Sequence, residues 1–331
     1  MCGISAYIGH REAYPIVING LKRLEYRGYD SAGVMIFDGQ NVQLSKTKGK
    51  VSELEKITDL EEERKVGHIG MGHTRWATHG VPNDVNSHPH TSESGDLVIV
   101  HNGIIENYDT IKKELIARGY SFQSDTDTEV LINLIQEVKN TEGCKLGKAV
   151  QIALTNVIGA YAISVFDKNK PNEIVVARLG SPIAIGVGKD NKEFFVASDA
   201  SPFVEYTKNA IYLEDEEMAI IKLGKSVKVH KIIDDKNIVA TYEVQADHPV
   251  LEGHFPHVKI WPGVYLIEGM NQCAGIHALH LAEQDVGIVE HSEYVTFVTR
   301  VDNCKFRSPV FPGNVLTLKA TLRTRKMNNI F

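Results

Sequence analysis

Apolar residues recur with helical spacing in several stretches of the first two thirds of the chain. Between residues 11 and 24 they return at three- and four-residue steps, and Arg27-Gly28 ends the pattern, which predicts a helix with a glycine stop. Thr126-Asp127-Thr128-Glu129 is typical of a helix start with an acidic first turn. The same spacing predicts helices over 108–117, 127–138 and 146–157.

Short apolar or alternating runs between these helices predict strands. They cover 2–8, 66–74, 97–102, 161–166, 173–178, 183–187, 193–197 and 217–221. Mixed strands and amphipathic helices indicate an α+β fold in which helices cover the sheets.

The pattern changes after about residue 224, where we place a domain boundary between 2–224 and 225–331. A strand-like run ends at Val244, and a long apolar helix is predicted over 263–283. Further strands are predicted over 294–301, 303–307 and 315–323, which favours a helix wrapped by a sheet.

The composition of the chain argues against several classes of function. The 331 residues allow two domains, and 36 basic against 42 acidic side chains without a basic run argue against nucleic acid as a partner. The four cysteines are scattered, so we expect a reduced cytoplasmic protein with no metal site and no organic cofactor. No apolar run approaches the roughly 18 residues of a membrane span, so no membrane partner is expected.

Cys2 directly follows the initiator methionine. Removal of that methionine would leave one residue with both a thiol and an α-amine, whose reference pKa of about 7.7 to 8.0 lets it accept the thiol proton near neutral pH. The alternative is that a cysteine simply stands at the start of a strand.

Polar strings at predicted strand ends supply the context for Cys2. Asn102-Gly103 offers a side-chain amide and a backbone N–H for a developing oxyanion. Arg75 suits the carboxylate of an amino-acid substrate and Asp127 its ammonium group, while Thr78 and His79 can complete the carboxylate cradle.

Five strings closely resemble glutamine:fructose-6-phosphate aminotransferase through about residue 223. They are MCGI at 1–4, LEYRGYDSAG at 24–33, HTRWATHG at 73–80, HNGIIEN at 101–107 and TDTE at 126–129. The resemblance implies a class II, N-terminal-nucleophile glutaminase, a four-layer αββα sandwich that releases ammonia from glutamine. It also implies the site roles: Cys2 as nucleophile, Asn102 and Gly103 as oxyanion hole, Arg75, Thr78, His79 and Asp127 as glutamine ligands, Trp76 as gate and Arg27 as support for the nucleophile.

Structural roles compete with several of these assignments. Trp76 could be a packed aromatic, Arg27 a buried charge paired with an acid, and Asp127 a helix cap. His88 and His90 could be satisfied loop histidines.

The resemblance implies a sugar-isomerase half after the glutaminase half, and we find nothing like it after residue 224. The activity expected of this chain is therefore hydrolysis of glutamine to glutamate and ammonia.

The second half holds its own candidate chemistry in the run from Gly253-His254-Phe255-Pro256 to Pro262-Gly263 and Glu268. His254 could remove an α-proton, while Glu268, made more acid-like by desolvation, protonates a departing β-hydroxyl. The first free N–H groups of the helix at Gly263 could polarise a thioester carbonyl. A buried hydrogen-bonded glutamate and a turn histidine are the alternative.

Residues of about 236–325 resemble the hot-dog 3-hydroxyacyl-carrier-protein dehydratases through HFP, PGV and Glu268 before Gln272. The resemblance implies a long helix wrapped by an antiparallel sheet, at least a dimer, and an acyl thioester on carrier protein or CoA as partner. His257 and Asn271 depart from the pattern, and the sequence stops at Phe331 where we expect another strand, so the predicted domain is shortened.

Three interpretations of the whole chain therefore stand side by side. The first is an enzyme with glutaminase and dehydratase domains that forms a homo-oligomer through the hot-dog half. The second makes that half a dimerisation or acyl-thioester-binding module without turnover, and the third is an artificial or accidental fusion. In addition, the glutaminase half could be idle until an isomerase subunit is present.

Overall fold

The computed structural model describes residues 2–60, 66–76, 81–232, 237–253, 257–286, 301, 304–321, 325–326 and 329–330. The chain divides into two compact units, residues 1–233 and 234–331. The boundary predicted at residue 224 falls between two paired strands of the first unit, which continues to residue 233.

The first unit contains thirteen strands and five α-helices among its described residues. The strands are β1 (Gly3–Ile8), β2 (Ser31–Phe37), β3 (Val42–Lys48), β4 (Ile69–Arg75), β5 (His90–Thr91), β6 (Leu97–Ile105), β7 (Gly159–Asp167), β8 (Glu173–Leu179), β9 (Ala184–Val187), β10 (Phe194–Ala197), β11 (Ala210–Tyr212), β12 (Glu217–Lys222) and β13 (Lys228–Lys231). The helices are α1 (Ala13–Leu24), α2 (Val51–Leu60), α3 (Tyr108–Ala117), α4 (Asp127–Thr141) and α5 (Leu146–Leu154).

These strands form two sheets whose neighbours pair in antiparallel fashion. The seven-stranded sheet has the order β11-β9-β10-β1-β4-β2-β3, and the six-stranded sheet has the order β13-β12-β8-β7-β6-β5. Strand β1, which follows Cys2, is therefore interior to its sheet and bonded on both edges.

Three clusters of buried side chains show how the elements pack. Alternate residues of β1 and β2, including Ile4 and Met35, meet Val98 and Phe166 of the other sheet. Side chains from the opposite face of the seven-stranded sheet pack on α1 and α2, and those of the six-stranded sheet pack on α3, α4 and α5. Each sheet thus has one face toward the other sheet and one face toward helices, as the two-residue period of strands requires.

Most predicted elements of this unit have counterparts in the structure, and α3 has the predicted bounds. Helix α2 and strands β2, β3, β5, β11 and β13 were not predicted from the pattern. Every residue of β2 is buried, so its sequence is a continuous apolar run rather than an alternation. Strand β3 contains lysines and a glutamine and has only two buried positions, so the alternation of apolar and polar residues typical of a strand is weak in its sequence.

The second unit contains β14 (Asn237–Glu243), α6 (Val250–Gly253), α7 (Gly263–Val286), β15 (Val315–Thr321), β16 (Arg325–Lys326) and β17 (Asn329–Ile330). Strands β14 and β15 pair antiparallel, and the Cys273 thiol of α7 donates to the Leu318 carbonyl of β15 at 3.9 Å. The long helix predicted over 263–283 is thus present as α7, and the strand predicted over 315–323 is present as β15.

The strand predicted over 303–307 is wrong for residues 304–307, which lie in no strand. Instead, the Phe306 ring packs against Gly263, where an added Cβ would lie 2.9 Å from the ring. The strand predicted over 294–301 falls almost entirely outside the described residues. Among the residues that the structure describes, no helix is long and apolar enough to cross a membrane.

We predict that Phe166→Ala destabilises the first unit by about 3–5 kcal/mol, because a ring that is fully buried between the sheets leaves a cavity. Phe37 lies against it with ring centroids 5.3 Å apart. Urea unfolding followed by circular dichroism measures the loss. Val204→Ala, at a residue 52% exposed, is the control and should change stability by no more than about 0.5 kcal/mol. Equal stability of the two variants would contradict the described packing.

Candidate functional site

The pairing of β1 with β4 brings Cys2 to the residue after β4. Gly3 is opposite Thr74 in this ladder. The Trp76 backbone N–H donates to the Cys2 Sγ at 3.2 Å, and the thiol donates to the Trp76 carbonyl at 3.5 Å. The nucleophile candidate is therefore held by backbone groups at the end of an interior strand.

Burial raises the pKa of the Cys2 thiol, since a thiolate is poorly solvated there. The Trp76 N–H and the positive charge of Arg75 act in the opposite direction on that pKa. The thiol thus depends on these two neighbours, and on a nearby base, to reach its reactive form.

Gly28 permits the close approach that places Trp76 beside the thiol. An added Cβ at Gly28 would lie 2.9 Å from both the Arg75 carbonyl carbon and the Trp76 nitrogen. Any larger residue at this position would push the Arg75–Trp76 peptide away from Gly28.

The Asn102 side chain lies at the centre of a buried hydrogen-bond network. Its Nδ2 donates to the Cys2 carbonyl at 3.1 Å and to the Ser198 Oγ at 2.9 Å. Its Oδ1 faces the His73 Nε2 at 2.9 Å. Ser198 also accepts from the Ile4 backbone N–H at 2.8 Å, so this network joins β6 to the first residues of β1.

Gly103 follows Asn102 in a conformation that favours glycine. Its φ is +140°, and an added Cβ would lie 2.0 Å from the Ala160 carbonyl oxygen. Asn102 thus contacts the Cys2 backbone, and Gly103 follows it in a conformation that other residues rarely adopt.

Arg75 and Asp127 are buried charged residues that interact with each other, and Arg75 also interacts with Cys2. Each is less than 10% exposed, and these interactions are electrostatic. Burial lowers the pKa of Arg75, although a guanidinium stays protonated in proteins. The carboxylate of Asp127 accepts from the Ile105 backbone N–H at 2.8 Å.

Asp127 is the first residue of α4 and does not cap it. The cap is Thr126, whose side chain accepts from the Glu129 N–H at 3.2 Å. The competing interpretation of Asp127 as a cap is therefore wrong, although an acid in this first turn still complements the helix dipole.

Arg27 and Trp76 border the same region. The Arg27 Nε contacts the Asp199 carboxylate at 3.4 Å, so the expected pairing of Arg27 with an acid is present. Asp199 follows Ser198, which ties Arg27 to the network around Asn102. The Trp76 ring is 46% exposed and rests edge-on against Tyr29.

A group of four buried histidines lies behind Asn102. His73 stacks on His88 with ring centroids 4.2 Å apart, and His88 meets His90 edge-on. His88 and His101 both contact the Thr128 hydroxyl at 2.9 Å, and His90 contacts Thr126. His90 thus has a hydroxyl partner, although it lies in β5 rather than in a loop. His88 is bonded at Nε2 only, because its Nδ1 is buried without a hydrogen-bond partner among the described residues.

In the second unit, the structure contradicts one expectation about Glu268. The side chain is exposed, and it accepts from Gln272 one helical turn later at 3.1 Å. The expected desolvation of this carboxyl is therefore absent, because β14 and β15 cover only part of the α7 surface. Gly263 begins α7 as predicted.

An apolar cavity of about 380 Å³ lies between α7 and the two strands. Its wall includes Tyr242, Trp261 and Leu318, with His248 and Glu268 as titratable residues. His254, Thr78 and His79 lie outside the described residues.

The structure brings together Cys2, Arg75, Trp76, Asn102, Gly103 and Asp127 from four separate stretches of sequence. It adds Gly28, His73 and Ser198, for which we predicted no role. His73 and Gly28 stand inside quoted strings, whereas Ser198 had no signal because its contacts join residues about 100 positions apart or more. The described residues contain no group of three or more His, Cys, Asp or Glu arranged to hold a metal.

Comparison with known proteins identifies the family. Residues 55–239 match the family model described as a glutamine amidotransferase domain, and residues 225–330 match that of a FabA-like domain. The chain is 54% identical over 265 residues to a glutamine–fructose-6-phosphate aminotransferase of Bacteroides thetaiotaomicron, and 48% identical over 263 residues to that of Chlorobaculum tepidum. In each case the match covers 78% of this chain and 42% of the relative.

Among solved structures, glutamine phosphoribosylpyrophosphate amidotransferase from B. subtilis is similar, with a TM-score of 0.59 and 30% identity over 72% of this chain and 50% of that one. The first unit therefore has an amidotransferase fold. The chain belongs to the glutamine amidotransferase family, in its class II branch.

The chain spans less than half the length of these aminotransferase relatives. Because the longer alignments cover 78% of the chain, they continue past residue 224, whereas we expected the resemblance to end near residue 223.

We predict that Gly28→Ala raises the pKa of the Cys2 thiol further, because it displaces the Trp76 N–H that favours the thiolate. The pH dependence of iodoacetamide alkylation, followed by mass spectrometry on the Cys2 peptide, measures this pKa.

Gly147→Ala in α5 is the matched control for this variant. There the added Cβ meets only the flexible side chain of Ile220, far from Cys2 in the sequence. A Gly28→Ala profile that overlays both the wild type and this control would contradict the role given to the Trp76 N–H.

Proposed function

We propose that the chain hydrolyses glutamine to glutamate and ammonia, with Cys2 as the nucleophile. The observation that carries this proposal is the setting of Cys2: its thiol accepts from the Trp76 N–H and its backbone carbonyl accepts from the Asn102 amide. The buried Arg75 interacts electrostatically with both Cys2 and Asp127. Membership of the class II amidotransferase family supports it. The four-layer αββα sandwich of N-terminal-nucleophile enzymes belongs to the same proposal.

The proposed reaction begins after loss of the initiator methionine. The new α-amine of Cys2 takes the thiol proton, directly or through water, and Sγ bonds to the carboxamide carbon of glutamine. The C–N bond then breaks, the proton passes to the departing nitrogen, and ammonia leaves a thioester on Sγ. Water hydrolyses that thioester, which yields glutamate and restores the thiol.

Asn102 and Gly103 are proposed to receive the oxyanion that forms before each bond breaks. Both N–H groups of the Asn102 amide already have acceptors, the Cys2 carbonyl and the Ser198 hydroxyl. Oxyanion binding therefore requires that one of these bonds be shared or exchanged, while Oδ1 keeps its contact with His73.

Arg75 and Asp127 are proposed to bind the α-carboxylate and α-ammonium of glutamine. Their opposite charges lie close together in a buried region, where ion pairing with a zwitterion is stronger than in water. Thr78 and His79 are proposed to complete the carboxylate site, and Trp76 and Arg27 to cover and support it.

Cys2→Ala is expected to abolish glutamate formation, because alanine has no thiol with which to form the thioester. An assay coupled to glutamate dehydrogenase measures turnover. Intact-mass spectrometry on the same samples reports whether the initiator methionine has been removed. Cys2→Ser is the matched control, since it keeps a small nucleophile and should retain only a trace of activity. Wild-type turnover in Cys2→Ala, or full turnover in protein that keeps Met1, would contradict this mechanism.

The second unit is proposed to bind an acyl thioester and to dehydrate a 3-hydroxyacyl group, with His254 as base and Glu268 as acid. The apolar cavity with Glu268 in its wall favours this function, and the FabA-like match supports it. The helix N-terminus at Gly263 would face the thioester carbonyl.

A homo-oligomer formed through this unit is part of the same proposal. Helix α7 leaves large apolar side chains exposed along its length, including Val264 at 67% and Ile276 at 61%. A second copy of the unit would cover these residues and Glu268, which would also supply the desolvation that the acid role needs.

Glu268→Gln is expected to abolish dehydration of a 3-hydroxyacyl thioester, because the amide cannot protonate the departing hydroxyl. Absorbance of the enoyl thioester product measures the rate, and size-exclusion chromatography with light scattering checks that oligomer size is unchanged. An inactive wild-type protein that still forms a dimer would favour the alternative of a non-catalytic module.

A further inference from the structure

We propose that His73 is a positioning residue that fixes the side-chain amide of Asn102 for oxyanion binding. This inference rests on the proposed glutamine hydrolysis and concerns a residue that does not itself touch the thiol in the structure. It follows from the proton positions that the hydrogen-bond network around Asn102 allows.

The orientation of the Asn102 amide is determined by its acceptor neighbours. The Cys2 carbonyl can only accept, so the amide atom that faces it at 3.1 Å must be Nδ2. Oδ1 therefore faces His73, and at 2.9 Å it requires a proton on the His73 Nε2.

A second contact assigns the same tautomer independently. The His73 Nε2 also lies 3.0 Å from the His101 backbone carbonyl, which can only accept. Burial lowers the pKa of His73 to about 3, so the ring is neutral and its single proton stays on Nε2 over the working pH range.

The remainder of the His73 ring has no polar function among the described residues. Nδ1 is buried without a hydrogen-bond partner, and the ring face stacks on His88 at 4.2 Å. An unsatisfied buried nitrogen destabilises a fold, so Nδ1 gives no structural reason for a histidine at this position. What histidine adds is the Nε2–H that holds Asn102.

This bond matters most when the oxyanion forms. Nδ2 must then share or exchange one of its two acceptors, and the Oδ1 contact with His73 is the bond that can persist through this exchange. Without it, the amide would have more rotational freedom when its donor is needed, which lowers the advantage of a preorganised oxyanion hole.

The test is a double-mutant cycle with His73→Phe and Asn102→Ala, using the full chain and glutamine. Loss of a direct oxyanion donor reduces kcat by about 100- to 1000-fold. We expect His73→Phe to reduce kcat by about 10- to 100-fold with KM changed by less than about threefold, since only the transition-state donor is affected. His73→Gln, which can place an N–H near the same point, should recover most of that loss.

The double variant should be no slower than Asn102→Ala alone, because His73 acts through Asn102. Iodoacetamide alkylation of Cys2 should keep its wild-type rate in His73→Phe, since substitution at a saturated carbon needs no oxyanion hole. Thermal unfolding confirms that each variant is folded.

Additive losses in the double variant, a parallel fall in Cys2 alkylation, or unchanged kcat in His73→Phe would each overturn the positioning role while leaving glutamine hydrolysis in place. If His73→Phe does not fold, His73→Leu, which also lacks the Nε2–H, takes its place in the same cycle with Asn102→Ala. Absence of glutamine turnover in the wild type would instead refute the proposed function itself, and this inference with it.

Discussion

The antiparallel pairing of β1 with β4 is the constraint on which the site depends. A chain terminus is normally the least ordered part of a domain. Here the strand that begins at Gly3, directly after Cys2, is bonded to β4 on one edge and β10 on the other. Because Gly3 is opposite Thr74, the end of β4 lies beside Cys2, and the Trp76 N–H can reach the thiol. A slip of one residue would turn every side chain of β1 to the other face.

Burial then sets the chemistry of the groups that this pairing assembles. It raises the pKa of the Cys2 thiol and lowers that of His73, so both are neutral in the resting protein unless a neighbour intervenes. Neutral histidines have fixed tautomers when their partners are fixed, which makes them dependable donors. The same burial strengthens the effect of Arg75 and Asp127 on any charged substrate group. The site therefore combines neutral groups with fixed hydrogen-bond directions and buried charged groups, which suits the proposed binding of glutamine.

Much of the first unit could be predicted from the sequence, and the reasons for the exceptions are physical. Helices such as α3 have one apolar face, and Thr126 has the chemistry of a cap, so local pattern sufficed. Strand β2 is buried on both faces and shows no alternation. The sequence predicts an oxyanion-hole role for Asn102 and Gly103 because these adjacent residues offer suitable donors. Ser198 contacts residues almost 100 or more positions earlier, which no local pattern indicates.

The second unit shows where prediction from one chain reaches its physical limit. An acid within an apolar helix predicts a buried carboxyl only if the whole helix is covered. In the structure β14 and β15 cover one side of α7, and Glu268 lies with Ile276 and Val264 among its exposed residues. In the first unit, helices and sheets of the same chain bury the site. Helix α7 is apolar around its circumference, so its exposed side acquires a buried environment only when another surface packs against it.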